Sequence, residues 1–344
     1  MFLHVLANNE LRRRQLLSTI RNRRQLRNNS DIFNLPDRQF IQSYRVDKEL
    51  FKILVGEVGP YLENPLISHV TQVAAVLRFL ATGSYQLGVA KDHDVNIGRS
   101  TFSKILHKVV GALECLCTEN ISTQQTPVEI DQSKDYFFEK FAFPNVIACV
   151  DGTHVIKPVK DSSLYLNRKG YFSINAMVVC NYNMEILAID ATHPGSCHDS
   201  FIWNNSRTRE FFSTTSGFFV LADSGYALEP FVLTPYRSPQ NESMQHVFNL
   251  KHAAARNIVE RTIGLLKSRF RWLQGTLQYD PQFVCKIINV CCLLHNLCRR
   301  RNAYMPEFEE DNDEYPNQNE EESNLQESLG NSAEIRDGIA ASFL

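Results

Sequence analysis

The chain carries almost no net charge. Its 36 Lys and Arg oppose 38 Asp and Glu, a balance of -2, so the total announces no affinity for nucleic acid. It lacks any CxxC pair. Its nine cysteines (Cys115, Cys117, Cys149, Cys180, Cys197, Cys285, Cys291, Cys292 and Cys298) fall mostly in apolar runs. Buried, reduced thiols are expected, in preference to a structural zinc site. No uninterrupted apolar run reaches the ~18 residues of a membrane span. The nearest approach, Ile287 to Cys298, is short and holds His295 and Asn296. The opening Met1–Ala7 is too brief for a secretory core and has no cations ahead of it. No membrane association is expected. Acids are nearly missing from the start of the chain, where Arg12, Arg13, Arg14, Arg21, Arg23, Arg24 and Arg27 crowd together. A mitochondrial presequence has that composition, and so does an arm that grips nucleic acid.

What is present is a globular composition, 43% apolar and 22% charged, over 344 residues, enough for about two domains. The charge is polarised, with a basic start and an acidic stretch over Glu307 to Glu327. The reading divides the chain into a basic arm (1–40), a helical domain (41–125), a catalytic domain (126–304) and an acidic tail (305–344). The arm is expected to be exposed and partly helical over Glu10 to Leu26, and the tail to be disordered. In the helical domain Val73, Val76, Leu77 and Leu80 recur at helical spacing, and Gly83 ends the pattern. Ser100 reads as the N-cap of a further helix. Phe102, Ile105, Leu106 and Val109 form its apolar face. Thr101, Ser103, Lys104, His107 and Lys108 lie opposite. This suits a helix-turn-helix DNA reader, and equally a plain helical bundle. Residues 118–130 read as a linker.

Beyond the linker the period shortens. Asn145–Val150, Phe172–Asn181, Met184–Ala191 and Gly217–Ala222 read as strands, with a hairpin turn over Asn181–Met184. Helices over about 249–273 and 281–300 follow, and the whole is an α/β arrangement. Asp151 and Asp223 each end an apolar strand. Each is either a metal ligand on a rigid mount or a turn-forming Asp ahead of a nearby Gly. Glu260 lies on a helical stripe with Arg256, Gly264, Lys267 and Arg271, about 100° from the apolar stripe of Val259, Ile263, Leu266, Phe270 and Leu273. The bland alternative pairs Glu260 with Arg256 across i, i−4. Asp199, after the strand ending at Ala191, is either a further ligand or the cap of a helix starting near Phe201. His198 beside it is a candidate for orienting a carboxylate or a water. Together the acids would make an oxygen-rich pocket for hard divalent cations, the chemistry used to cleave phosphodiesters. Arg168 and Lys169, in a Gly-adjacent turn, join Arg256, Lys267 and Arg271 as candidate phosphate contacts.

These pieces resemble the catalytic domain of Harbinger-type DDE transposases, in the domesticated branch of Harbinger transposase-derived nucleases. The resemblance rests on Val150-Asp-Gly-Thr-His154, Asn167-Arg-Lys-Gly-Tyr-Phe-Ser-Ile-Asn175, Pro194-Gly-Ser-Cys-His-Asp-Ser200, Ala222-Asp-Ser-Gly-Tyr226, Arg256-Asn-Ile-Val-Glu-Arg-Thr-Ile-Gly-Leu-Leu-Lys267 and Leu294-His-Asn296, in the family's order. Leu77–Gly83 is similar to the family's helical region. The resemblance implies an RNase H-like mixed sheet flanked by helices, with Asp151, Asp223 and Glu260 as its acids and Asp199 as a further metal ligand. It also implies Mg²⁺ or Mn²⁺ as cofactor, DNA as substrate and a separate Myb-like DNA-binding partner. Transposases of this kind commonly act as assemblies, which leaves an oligomer open for this chain, and residence in nucleus and cytoplasm is expected with the resemblance.

Overall fold

The computed structural model describes residues 2–62, 66–92, 94–156, 163–275, 279–302 and 330–343. The chain divides into two units. One comprises residues 1–113 with 270–272, and the other comprises 114–269 with 273–344. The division falls after Leu113, not at 125.

The first unit is all helical: α1 (Phe2–Asn28), α2 (Asp37–Tyr44), α3 (Lys48–Val58), α4 (His69–Thr82), α5 (Gln86–Ala90) and most of α6 (Arg99–Glu114). Its arginine-rich stretch is mostly exposed, as expected of the arm, with Arg12, Arg13, Arg14, Arg21 and Arg24 in solvent, and Arg27 Nη1 donates to the Asn96 carbonyl at 2.8 Å. The arm does not end at 40, because α2 runs across that position and buries Phe40 and Tyr44 against Phe51. Helix starts follow capping chemistry. Asp47 accepts from the Leu50 amide at 2.7 Å, and Ser68 from the Thr71 amide at 3.2 Å. α6 begins one residue before the expected cap. The Gly98 carbonyl accepts from the Phe102 amide, so Ser100 lies inside the first turn. Phe102, Ile105, Leu106 and Val109 are buried, while Lys104, His107 and Lys108 are exposed, as the periodicity predicts. Helix α5 stands between α4 and α6, however, so those two helices are not joined by a simple turn.

The second unit is built on one five-stranded mixed sheet, in the order β3-β2-β1-β4-β5. The strands are β1 (Val146–Ile156), β2 (Ser173–Cys180), β3 (Ile186–Pro194), β4 (Phe219–Leu221) and β5 (Val232–Leu233). β1, β2 and β3 pair antiparallel, whereas β4 and β5 add in parallel with β1. The β2–β3 hairpin turns where expected. The Asn181 side chain accepts from the Asn183 and Glu185 amides, both at 3.0 Å. Ala148, Val150, Met177 and Val179 face Ile202, Trp203 and Phe212 of α9 (Asp199–Asn204) and α10 (Arg207–Thr214). Cys149 and Cys180 instead meet α11 (Met244–Arg269), at Ala255 and Thr262. α12 (Pro281–Arg300) lies on β3. It is long and apolar enough to cross a membrane by length and composition, but two-thirds of that window is buried inside the protein.

Three sequence expectations are corrected here. The supposed linker holds α7 (Cys117–Asn120) and the start of α8 (Pro127–Phe141). Thr126 and Glu129 close a reciprocal capping box there, with Pro127 in the first turn. α11 ends at Arg269, and a 3₁₀ turn over Arg271–Gln274 follows, so Arg271 is not on the helical stripe. The expected disorder does not extend over Gly330–Ala341, which forms α13 against α11. Arg336 lies 3.9 Å from the Tyr236 ring centre, and the Tyr236 hydroxyl donates to Asp337 at 2.5 Å. Residues 303–329, the rest of that acidic tail, lie outside the described residues.

Candidate active site

β1 does not stop at Asp151. It runs on to Ile156, paired throughout with β2. Its other neighbour leaves earlier, since the last β1–β4 pair is Cys149 with Leu221. Two residues past that pair stand Asp151, still within β1, and Asp223, just beyond the end of β4. This is the carboxyl edge of parallel strands, where open α/β sheets place their ligands. The turn-former alternative fails for Asp151, whose backbone is extended. It is half right for Asp223, whose Oδ1 accepts from the Gly225 amide at 2.9 Å in a local turn.

Side chains alternate along a strand. Cys149 faces α11, so Asp151 does too, and there it meets Arg256: Nη1 lies 3.2 Å from Asp151 Oδ2. The same guanidinium, through Nη2, lies 2.6 Å from Glu260 Oε1. The i, i−4 pair therefore exists, but it is one arm of a bridge between two acids. Arg256 is 6% exposed. Val259, Ile263 and Leu266 are buried on the neighbouring stripe, as expected.

Gly152 points the opposite way. A Cβ there would run into the Asp199 carboxylate, so the glycine admits that side chain against the strand. Asp199 does not cap its helix. It is the first residue of α9, and the cap position belongs to His198. Asp199 Oδ1 accepts from Asn175 Nδ2 at 2.6 Å, and the same amide donates to the Cys197 carbonyl at 3.0 Å. His198 meets the Arg168 guanidinium, at 3.2 Å from Nε2. Arg168 and Lys169 are exposed in a loop built by the buried Asn167. Its Oδ1 accepts from the Lys169 and Tyr171 amides, and Gly170 takes φ +79° at the bend. Lys267 Nζ donates to the His154 carbonyl at 3.0 Å. Arg271 is counted with the helical unit.

Burial dominates the electrostatics. It pushes Asp151 up to about 6. Arg256 opposes that shift, and Asp223 and Asp199 reinforce it. Asp223 is raised as well, first by burial. Burial pulls Arg256 down, but Asp151, Glu260 and Asp223 outweigh it, and the net shift is upward. Tyr226 is pushed well up by burial, with Asp199, Asp151 and Asp223 adding to it.

Sequence reasoning missed Asn175 and Tyr226, which are 1% and 3% exposed. Asn175 Oδ1 and Tyr226 Oη are buried without a hydrogen-bond partner, and Arg256 Nη1 has the Asp151 carboxylate at 3.2 Å as an ion-pair contact without well-aligned hydrogen-bond geometry. One signal was legible: Asn175 is an amide set into the otherwise apolar run Ile174–Cys180, and that strand proves buried along its whole length. As placed, no three His, Cys, Asp or Glu among the described residues are grouped to hold a metal ion. The donor chemistry nevertheless fits a divalent cation. Hard carboxylate oxygens are held in a setting that disfavours their ionised form, beside buried polar atoms that lack partners.

A family model described as DDE superfamily endonuclease matches residues 150–296. The chain is 30% identical over 276 residues to "Putative nuclease HARBI1" of Rattus norvegicus, covering 77% of this chain and 78% of that protein. The protein of that name in Homo sapiens matches with the same identity and coverage. "Protein ALP1-like" of Arabidopsis thaliana is 28% identical over 254 residues, 68% of this chain and 61% of that protein. No solved structure matches. The chain belongs to the Harbinger transposase-derived, HARBI1-like family of DDE superfamily endonucleases.

Proposed function

We propose that the chain is a divalent-metal-dependent endonuclease that cuts phosphodiester bonds of DNA. One observation carries this: Asp151 within β1 and Asp223 just past the parallel β4 stand at the same level, with Arg256 joining Asp151 to Glu260. The strand order, with β1, β4 and β5 parallel and β2 reversed, supports an RNase H-like reading. Asp151, Asp223, Glu260 and Asp199 would hold Mg²⁺ or Mn²⁺. When bound, such cations supply an activated water and charge to stabilise the leaving oxygen. The chain's own residues do the rest. Asn175 fixes the direction of Asp199. Arg168 and Lys169, on the loop organised by Asn167, would contact backbone phosphates, with Lys267 nearer the strand edge. Arg256, buried on the acids, is not available as a phosphate contact. The basic face of α6 and the arginines of α1, with Arg271, would extend contact with DNA in the helical unit. Family membership alone supports a Myb-like partner, an assembly of several copies, and residence in nucleus and cytoplasm.

The test is nicking of supercoiled DNA in Mg²⁺ by wild type and by Asp151→Asn. Wild type should nick, and the variant should lose at least about a thousandfold, the scale of a lost transition-state contact. Equal nicking by both removes Asp151 from the chemistry. A second reading, a DNA-binding scaffold without cleavage, is favoured by the neutralising grip of Arg256 on two acids. DNA binding that survives EDTA, with no nicking by wild type, would establish it.

A further inference from the structure

We propose that Arg256 is an internal counter-ion: it bridges Asp151 and Glu260 while no divalent cation is bound, and competes with that cation for Glu260. The inference rests on the metal-dependent reading above. Two observations carry it beyond that reading. The guanidinium contacts both acids at once, at 3.2 and 2.6 Å, from a position inside the protein. Its Nη1 nevertheless lacks a well-formed hydrogen bond, so the bridge is imperfect on the Asp151 side. A buried cation left without partners is costly, so Arg256 must keep an acid. Glu260 is the arm able to yield, because its side chain is 37% exposed against 18% for Asp151. Water can solvate Glu260 during exchange, and it sits on the same helix one turn away.

The bridge is consistent with the finding that, among the described residues, no three acids are grouped as a ready nest. Arg256 holds the acids by its own directional bonds, in a planar fork that differs from a cation's coordination shell. A doubly charged ion offers Glu260 a stronger partner. Arg256 then keeps Asp151, and Glu260 turns to the ion. Arg256 is thus a positioning residue. It keeps the acids in place before loading and sets a threshold cation concentration for loading.

The experiment uses the full chain with Mn²⁺ as probe, followed by electron paramagnetic resonance and by thermal melting in EDTA and in Mn²⁺. Arg256→Met should melt lower than wild type in EDTA, bind Mn²⁺ about tenfold more tightly, and gain more than wild type on adding the ion. A purely structural arginine would lower melting without tightening binding. If Arg256→Met shows no cooperative melt, Arg256→Lys carries the test. One ammonium cannot fork across both acids, so its affinity should exceed that of wild type by about threefold. Equal or weaker Mn²⁺ binding by the folded variant overturns the proposal alone. A wild type and variants that all fail to bind Mn²⁺ overturn the metal reading, and this inference with it.

Discussion

α11 and α12 both press buried polar side chains against the same sheet, yet the partners differ in kind. On α12, Asn296 forms a closed exchange with Ile186, accepting from its amide at 2.8 Å and donating to its carbonyl at 2.7 Å. His295 Nε2 lies 2.8 Å from the Met184 carbonyl. On α11, His252 follows that rule, with Nε2 3.0 Å from the Leu233 carbonyl. One turn later, Arg256 and Glu260 break it by bonding to charged side chains. Backbone partners cannot leave, so contacts with them fasten a helix to a strand. Carboxylates and guanidinium groups can change partner, and that makes their contacts suited to chemistry.

The largest test of this contrast is acid. Burial lowers His252 to about 4 and His295 to about 3. Both are neutral in the fold but take up a proton near 6.5 when unfolded. Their stability is present above pH 6.5 and is lost as pH falls toward 4 and 3, at up to about 1.4 kcal/mol per pH unit each. Asp151, raised to about 6, works in the opposite sense: protonation between about 6 and 4 relieves its burial. Chemical denaturation from pH 7 to 4.5 should therefore show falling stability, with a steeper fall in Asp151→Asn than in wild type. An unchanged slope would mean that the two classes do not differ in sign.

Next in size, Asn296→Ala should cost about 2–4 kcal/mol, because it strands the Ile186 amide and carbonyl in the interior. Nicking per folded molecule should stay as in wild type; a parallel loss would blur the division. Gly152→Ala should do the converse, with little loss of melting temperature but nicking down by about a hundredfold, on the scale of a displaced active-site group. Unaltered nicking would show that Asp199 is dispensable. The smallest effect belongs to the exposed loop. Arg168→Ala with Lys169→Ala should leave melting unchanged and reduce the salt dependence of DNA affinity by about one to two phosphates' worth.

The same contrast explains what could be read in advance. Repeating apolar spacing announces strands and buried helix faces, so β2, β3, the hairpin at Asn181 and the α11 stripe were legible. The acids of the site were legible as motif pieces. The length of β1 was not, because Gly152, Thr153 and His154 look like the exit from a strand; only pairing with β2 keeps them extended. The inward turn of Arg256 was hidden for a similar reason. Periodicity assigns a residue to a stripe but does not tell whether a long side chain bends back to a buried acid. The capping box at Thr126 was readable from Thr-Pro-Val-Glu, but the run of small polar residues before it obscured the signal. α13 offers too weak an apolar pattern to be seen alone. It is held by Tyr236, which meets Arg336 and Asp337, and by the packing of Phe343 on Phe143 and on Phe248 of α11.

That last helix has a consequence for any shortened form of the protein. Phe343, just past α13, lies 5.3 Å from Phe143 and 6.0 Å from Phe248, ring centre to ring centre, and Lys251 sits 4.1 Å over its ring. A message truncated ahead of Gly330 would leave every described strand and the four acids Asp151, Asp199, Asp223 and Glu260 in the chain. It would also strip the greasy flank of α11 bare, and the product would be a sticky protein with all the acids of the candidate site.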